Sequence, residues 1–135
     1  MRILFDLNVL LDVAIRWEKY PDSLRLYEEV GSTTRLEGVW PACGFTTLYY
    51  ILKRELGDRK AKEFIALFSK DLDLAPFDEK VAIRALRLNF SDLEDACISA
   101  SALSAACDYV ATRNEADFIA SPVPPKHPKE LLAML

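Results

Sequence analysis

Carboxylates stand at three places in this chain where apolar runs meet polar ones. Asp6 closes Met1-Arg2-Ile3-Leu4-Phe5 and precedes Leu7-Asn8-Val9-Leu10-Leu11-Asp12. Asp92-Leu93-Glu94-Asp95 opens a stretch of small apolar residues, and Thr112-Arg113-Asn114-Glu115-Ala116-Asp117-Phe118 follows Tyr109-Val110-Ala111. Side chains at the carboxyl ends of buried parallel strands converge in one crevice, where open α/β sheets bind ligands. Carboxylates gathered there without basic partners repel one another, and a divalent cation relieves that repulsion. The chemistry expected is metal-dependent and directed at a phosphodiester.

Each of these residues also has a structural reading. Asp6 follows buried strand residues, where an unpaired carboxylate is costly. It could cap the next helix, although Asn8 is the better-placed cap. Ser91-Asp92-Leu93-Glu94 spells a capping box, which accounts for Glu94, and Asp92 suits the helix dipole. Asp95 lies on the Ile98/Ala102 side of a closely packing helix and has no such explanation. Asn114 fits an N-cap with Asp117 in the first turn, a role that leaves both free to face a cation. Asp12 reads as a supporting or surface residue. Tyr49 and Tyr50 sit at core spacing beside Leu48 and Ile51. His127, the single histidine, lies in a Pro/Lys-rich tail, which argues against histidine-based acid–base or triad chemistry.

The elements needed to position these groups are visible as alternating strand and helix patterns. Strands are expected at 2–6, 38–41, 72–77 and 109–112, with an extended segment at 122–125. Helices are expected after Asn8 and over 20–30 with Gly31 as its stop. Others are expected over 44–56, 60–69, 78–88, 91–106 and, as a short one, 114–120. This alternation implies a parallel sheet with helices on both faces. At 135 residues the chain fits one domain, 1–135, and no repeat or linker divides it.

Composition narrows the class. No apolar run approaches the roughly 20 residues that cross a bilayer. Without a basic region and apolar signal core at its start, the chain is expected in the cytoplasm. Cys43, Cys97 and Cys107 are odd in number, lack CxxC spacing and read as buried reduced thiols. A net charge of −4 does not mark a general nucleic-acid binder. The local basic stretch Lys53, Arg54, Arg59, Lys60 and Lys62 reads either as a solvated helix face or as a phosphate contact.

Taken together, Phe5-Asp6-Leu7-Asn8-Val9-Leu10-Leu11-Asp12, Thr46-Thr47-Leu48-Tyr49-Tyr50-Ile51-Leu52-Lys53, Asp92-Leu93-Glu94-Asp95-Ala96 and Ala111-Thr112-Arg113-Asn114 with Asp117-Phe118 resemble the PIN domain, most of all small bacterial members similar to VapC-type toxins. The resemblance covers nearly the whole chain. It implies a three-layer α/β/α sandwich around a parallel sheet of four to five strands. It also implies a Mg²⁺- or Mn²⁺-dependent ribonuclease, a homodimer, and an antitoxin protein as partner. On this resemblance Asp6, Asp95 and Asp117 are the catalytic acids, and with Asn114 they are the metal ligands. Asn8, Thr112, Thr47, Asp92 and Glu94 support them. One position departs from the pattern: Thr46 or Thr47 stands where a typical member carries Glu, which removes one hard anionic oxygen.

The alternatives are a non-catalytic PIN-like module binding RNA or protein, and a phosphotransfer domain. Asp6-Leu7-Asn8-Val9-Leu10 is similar to the haloacid-dehalogenase opening motif, but Asn8 stands in place of the second Asp. A receiver domain needs an Asp at the end of a mid-chain strand, and the segment around Val39 has none.

Overall fold

The computed structural model describes residues 1–135. Its centre is β1 (Arg2–Phe5), whose Ile3, Leu4 and Phe5 are all fully buried. Successive strand residues point to opposite faces, so complete burial of three in a row requires cover on both sides. Helices supply that cover, giving the α/β/α sandwich.

The remaining strands are β2 (Glu37–Pro41), β3 (Asp73–Ala75), β4 (Tyr109–Ala111) and a two-residue β5 (Pro125–Lys126). All neighbours run parallel in the order β3-β2-β1-β4-β5. The chain therefore leaves β1 toward one side first and returns to pair β4 on the other. This reversal opens a crevice at the carboxyl ends of β1 and β4. Gly38 of β2 lets the Leu72 side chain pack directly on the strand, and any Cβ there would force that side chain to move.

Seven helices surround the sheet: α1 (Leu7–Ile15), α2 (Pro21–Ser32), α3 (Phe45–Leu56), α4 (Asp58–Asp71), α5 (Glu79–Arg87), α6 (Leu93–Ser104) and α7 (Pro128–Ala133). A 3₁₀ turn, Ala42–Gly44, leads from β2 into α3, and a second, Glu115–Phe118, follows β4. Gly57, at φ 88°, turns the chain sharply between α3 and α4. One large apolar cluster fills the space between sheet and helices, with Trp40, Phe5, Phe68 and Phe118 among its fully buried members.

Several boundaries differ from the sequence reading. Gly31 does not stop α2, which runs on to Ser32 and ends at Thr33. The strand expected over 72–77 is only Asp73–Ala75, because Leu74 and Phe77 are exposed and give it no second buried face. The helix expected over 114–120 is a single 3₁₀ turn. The end of the chain holds a helix, α7, which the proline-rich tail did not suggest; Pro128 occupies its first turn, where no N–H is needed. His127 caps α7, accepting from Lys129 N at its Nδ1 while Glu130 reaches back to the His127 N–H. The histidine thus has a structural task.

Candidate active site

Parallel pairing places Phe5 of β1 opposite Ala111 of β4, so the next residues on each strand, Asp6 and Thr112, emerge side by side. The Asp6 N–H donates to the Ala111 carbonyl at 3.0 Å and extends the ladder by one rung. Thr112 Oγ1 then donates to Asp6 Oδ2 at 2.8 Å, while Leu7 N donates to Asp6 Oδ1 at 2.8 Å. Asp6 is therefore the N-cap of α1, and not Asn8 as the sequence suggested. The physical reason is that β1 turns directly into α1, leaving no residue between strand and cap.

Asn8 serves the same corner differently. Its Nδ2 donates to Thr112 Oγ1 at 3.3 Å, and its Oδ1 accepts from Arg113 N at 3.4 Å. Thr112 Oγ1 also accepts from Asn114 N at 3.0 Å. The hydroxyl of Thr112 is thus oriented to give its single proton to Asp6. Asp6 is only 5% exposed, and both of its oxygens keep a free lone pair beyond these bonds. Burial pushes its carboxyl up to about 6 despite the two donors, and the charges of Glu94 and Asp117 push the same way.

The second group of acids arrives on α6. Asp92 is the N-cap, its Oδ1 accepting from Asp95 N at 2.9 Å. This replaces the expected Ser91 box by one residue. Glu94 is released from any capping role and instead accepts at Oε2 from Thr47 Oγ1, on α3, at 2.9 Å. Ile98 and Ala102, on the side of α6 expected to pack, are fully buried, and Asp95 is half-buried above them. Its carboxyl is raised to about 7 by desolvation first and then by the charges of Asp92, Asp6, Asp117 and Glu94. The third group lies in the 3₁₀ turn after β4, where Asp117 is exposed and Asn114 precedes the turn without a side-chain capping bond.

The charges of Asp117 and Glu94 therefore reach both Asp6 and Asp95 and raise the proton affinity of those two carboxyls. None of them takes part in a salt bridge; all nine in the molecule lie elsewhere. Oxygen donors of this charge with no cationic side chain among them are the set that a hard divalent cation accepts. As the side chains stand in this structure, no group of three or more His, Cys, Asp or Glu residues is placed to hold a metal ion. Glu94 is held by Thr47, Asp92 by Asp95 N, and Asp6 by Thr112 and Leu7.

The chain's sequence matches the PIN domain family over residues 2–116. It belongs to the PIN domain family. Among solved structures, the chain superposes on the VapBC2 structure from Rickettsia felis with a TM-score of 0.73 at 14% identity, covering 94% of this chain and 98% of that one. VapC20 of Mycobacterium tuberculosis, a sarcin-ricin loop cleaving toxin, gives 0.69 at 15% identity over 90% and 95%. FitAcB from Neisseria gonorrhoeae gives 0.64 at 22% identity over 94% and 98%. At these identities the likeness is one of fold. No curated protein matches the chain by sequence.

Two features of this PIN domain were not foreseen. Asp12, expected as a supporting or surface group, is fully buried and ion-paired. Arg113 grips it with Nε at 2.6 Å and Nη2 at 3.1 Å, Arg16 Nε lies 3.4 Å away, and Ser23 Oγ donates at 2.8 Å. The Arg113 guanidinium also stacks on Tyr20, 3.6 Å from the ring centre. This clamp fixes the residue after Thr112 against α1. The arginine in Thr112-Arg113-Asn114 was the available signal, but its partners lie about a hundred positions upstream. The basic stretch, meanwhile, is largely a solvated face: Lys62 pairs with Asp58 at 3.0 Å and Arg59 with Glu63 at 3.8 Å. Of the three cysteines, all expected to be buried, only Cys107 is; Cys43 and Cys97 are half-buried, all three are free thiols, and burial pushes the Cys43 thiol up to about 12 and that of Cys107 to about 11.

Proposed function

We propose that this PIN domain is a metal-dependent endoribonuclease, with Mg²⁺ or Mn²⁺ as its cofactor, and that it is the toxin of a toxin–antitoxin pair. The observation that supports the reading is that Asp6 leaves β1 beside β4 and feels, as Asp95 on α6 does, the charges of Asp117 and Glu94, none of the four being ion-paired. Asp6, Asp95 and Asp117, with Asn114, are the residues that would hold the ion. When bound, the ion supplies Lewis-acid stabilisation of the phosphodiester and a more acidic water.

The protein's own groups divide the remaining work. Asp6 is fixed by Thr112 and Leu7 and provides a rigid anionic anchor. Asp95, whose carboxyl is raised to about 7 in the metal-free chain by burial and neighbouring acids, would be held ionised by the cation and serve it as a carboxylate ligand. Asn8 and Thr112 keep the anchor oriented. RNA is supported as substrate, and an antitoxin as partner, by family membership and by the toxin among the structural neighbours. Homodimer formation and a cytoplasmic location belong to the same proposal; no helix is long and apolar enough to cross a membrane.

The test is cleavage of a mixed RNA pool by the purified chain with Mg²⁺ or Mn²⁺ and with chelator. Metal-dependent cleavage lost in Asp95→Asn supports the reading. Cleavage indifferent to chelator or to that substitution refutes it. A second reading, a non-catalytic module that binds RNA or protein, is favoured by Thr47, which offers a hydroxyl and no charge on α3. RNA retention without cleavage at any metal concentration would select it.

A further inference from the structure

We propose that Lys80, Arg84 and Arg87 on α5 hold the phosphate backbone of the RNA substrate along the helical hairpin that also carries Asp95. The inference rests on the ribonuclease reading above and names the surface that grips the strand.

The three cations follow one another at spacings of four and three residues, so they share one face of α5. Val81 and Ala85 of the same helix are buried against Ala96 and Ala100 of α6. All three cations are exposed, and none pairs with an acid. On α4 the arrangement is different: Lys62 pairs with Asp58 and Arg59 with Glu63, each four residues apart. On α5 the neighbours at such spacings are like charges, Lys80 with Arg84 and Arg84 with Arg87, a pattern that destabilises a helix. The helix dipole accounts for part of it, since Arg84 and Arg87 lie in the last turn. Lys80 lies in the first turn, where the dipole favours negative charge. In a chain of net charge −4, cations massed without partners mark a surface for an anion.

The surface is concave as well as charged. A hollow of about 150 Å³ between α5 and α6 is lined by Lys80, Arg84 and Ser104, and one of about 290 Å³ by Lys80, Ile83, Arg84 and Arg87. Lys80, near the start of α5, thus meets Ser104, at the end of α6, and the two helices run antiparallel. The Arg87 end of the row therefore lies toward the first turn of α6, which bears Asp95. From Lys80 to Arg87 the helix rises about 10 Å. That is the reach of about three phosphates at about 3.4 Å per nucleotide of a strand. An extended polyanion matches such a row better than a single small anion, and RNA is the polyanion on which the carboxylate site would act. Backbone contacts of this kind position a strand without reading its sequence.

The experiment measures binding of fluorescein-labelled oligo(U) and oligo(A) RNA to the full chain by anisotropy across a salt series, with chelator present to hold off cleavage. The variant Lys80→Gln/Arg84→Gln/Arg87→Gln is set beside a charge-matched control, Lys60→Gln/Lys70→Gln/Lys129→Gln, at exposed lysines outside any ion pair. The α5 variant should bind both RNAs more weakly and lose about 2 from the log–log salt slope, at about 0.7 per phosphate contact on a single strand. The control should keep the parent's slope. Unchanged affinity and slope in the α5 variant overturn the inference. An equal loss in the control also overturns it, because the effect is then one of net charge. A loss confined to one RNA marks a base contact and contradicts it as well. Oligoglutamate competing as well as RNA of equal charge would make the face a site for an acidic protein segment, and altered sedimentation of the variant would make it a contact between copies; either result overturns the inference. Metal-dependent cleavage by the parent tests the reading beneath separately. That reading stands if the parent cleaves RNA while the α5 variant binds it unchanged, and both fall if the parent neither binds nor cleaves RNA.

Discussion

Thr112 Oγ1 donates to Asp6 Oδ2 at 2.8 Å across the junction of β4 and β1, two residues 106 positions apart in the chain. The parallel register that sets Phe5 against Ala111 makes this contact unavoidable, and Asn8 and Asn114 lock the hydroxyl's direction. Thr112→Val keeps the shape and removes the donor. It should destabilise the chain by about 1–3 kcal/mol, the cost of a buried acceptor left short of a partner. The Asp6 carboxyl should also rise above about 6, because the hydroxyl holds it down. Denaturant unfolding and carboxyl titration by NMR measure the two effects, and Thr112→Ser should reverse both.

Crowding of acids makes stability depend on pH in a definite direction. Asp6 and Asp95 ionise near 3.8 when unfolded but at about 6 and about 7 when folded. Between those values the folded chain binds more protons than the unfolded one, so raising the pH lowers stability. The metal-free melting temperature should therefore fall from pH 4.5 to pH 8, to the extent that these two groups govern it. Asp95→Asn should flatten part of that fall and melt higher than the parent at pH 8. Adding Mn²⁺ should raise the parent's melting temperature at pH 8 and leave Asp95→Asn nearly unmoved. A melting temperature that rises across this range would contradict the assignment.

The clamp between Arg113 and buried Asp12 holds the turn that carries Asn114 and Asp117. Arg113→Met should cost about 3 kcal/mol by leaving a buried carboxylate with poorer compensation. Arg16 remains, 3.4 Å away, and Ser23 still donates, which keeps the loss below that of a bare buried charge. Because Thr112 adjoins Arg113, cleavage should decline further than folding does. Comparing activity with the folded fraction, both at a temperature where the variant is native, separates the two contributions.

The fold was legible where single segments carry their own signal. Ile3-Leu4-Phe5 and Tyr109-Val110-Ala111 are short apolar runs that only a two-sided sheet buries, and the helix expected over 78–88 starts at its first residue, Asp78, which caps α5 by accepting from Val81 N at 3.0 Å. Asp6 and Asp95 stood out as carboxylates beside apolar runs, and the structure buries Asp6, as the cap of α1, and half-buries Asp95. Other features depend on distance through space. Whether Asp6 or Asn8 caps α1 is decided by how abruptly β1 ends, and whether Ser91 or Asp92 caps α6 by a single residue of register. The Thr47–Glu94 bond joins residues 47 apart, and nothing local to either foretells it. The helix α7 escaped because its cap is a histidine, outside the usual Ser, Thr, Asp and Asn.

The proposed ribonuclease activity depends on a divalent cation among the carboxylates of Asp6, Asp95 and Asp117. A crystal of the full chain grown with Mn²⁺ and recorded at the manganese absorption edge tests it most directly. The expected result is an anomalous peak with oxygens of Asp6 and Asp95 at about 2.0–2.6 Å, and Asp117 or Asn114 turned toward it. A peak confined to other carboxylates, or none at a saturating Mn²⁺ concentration, would contradict it.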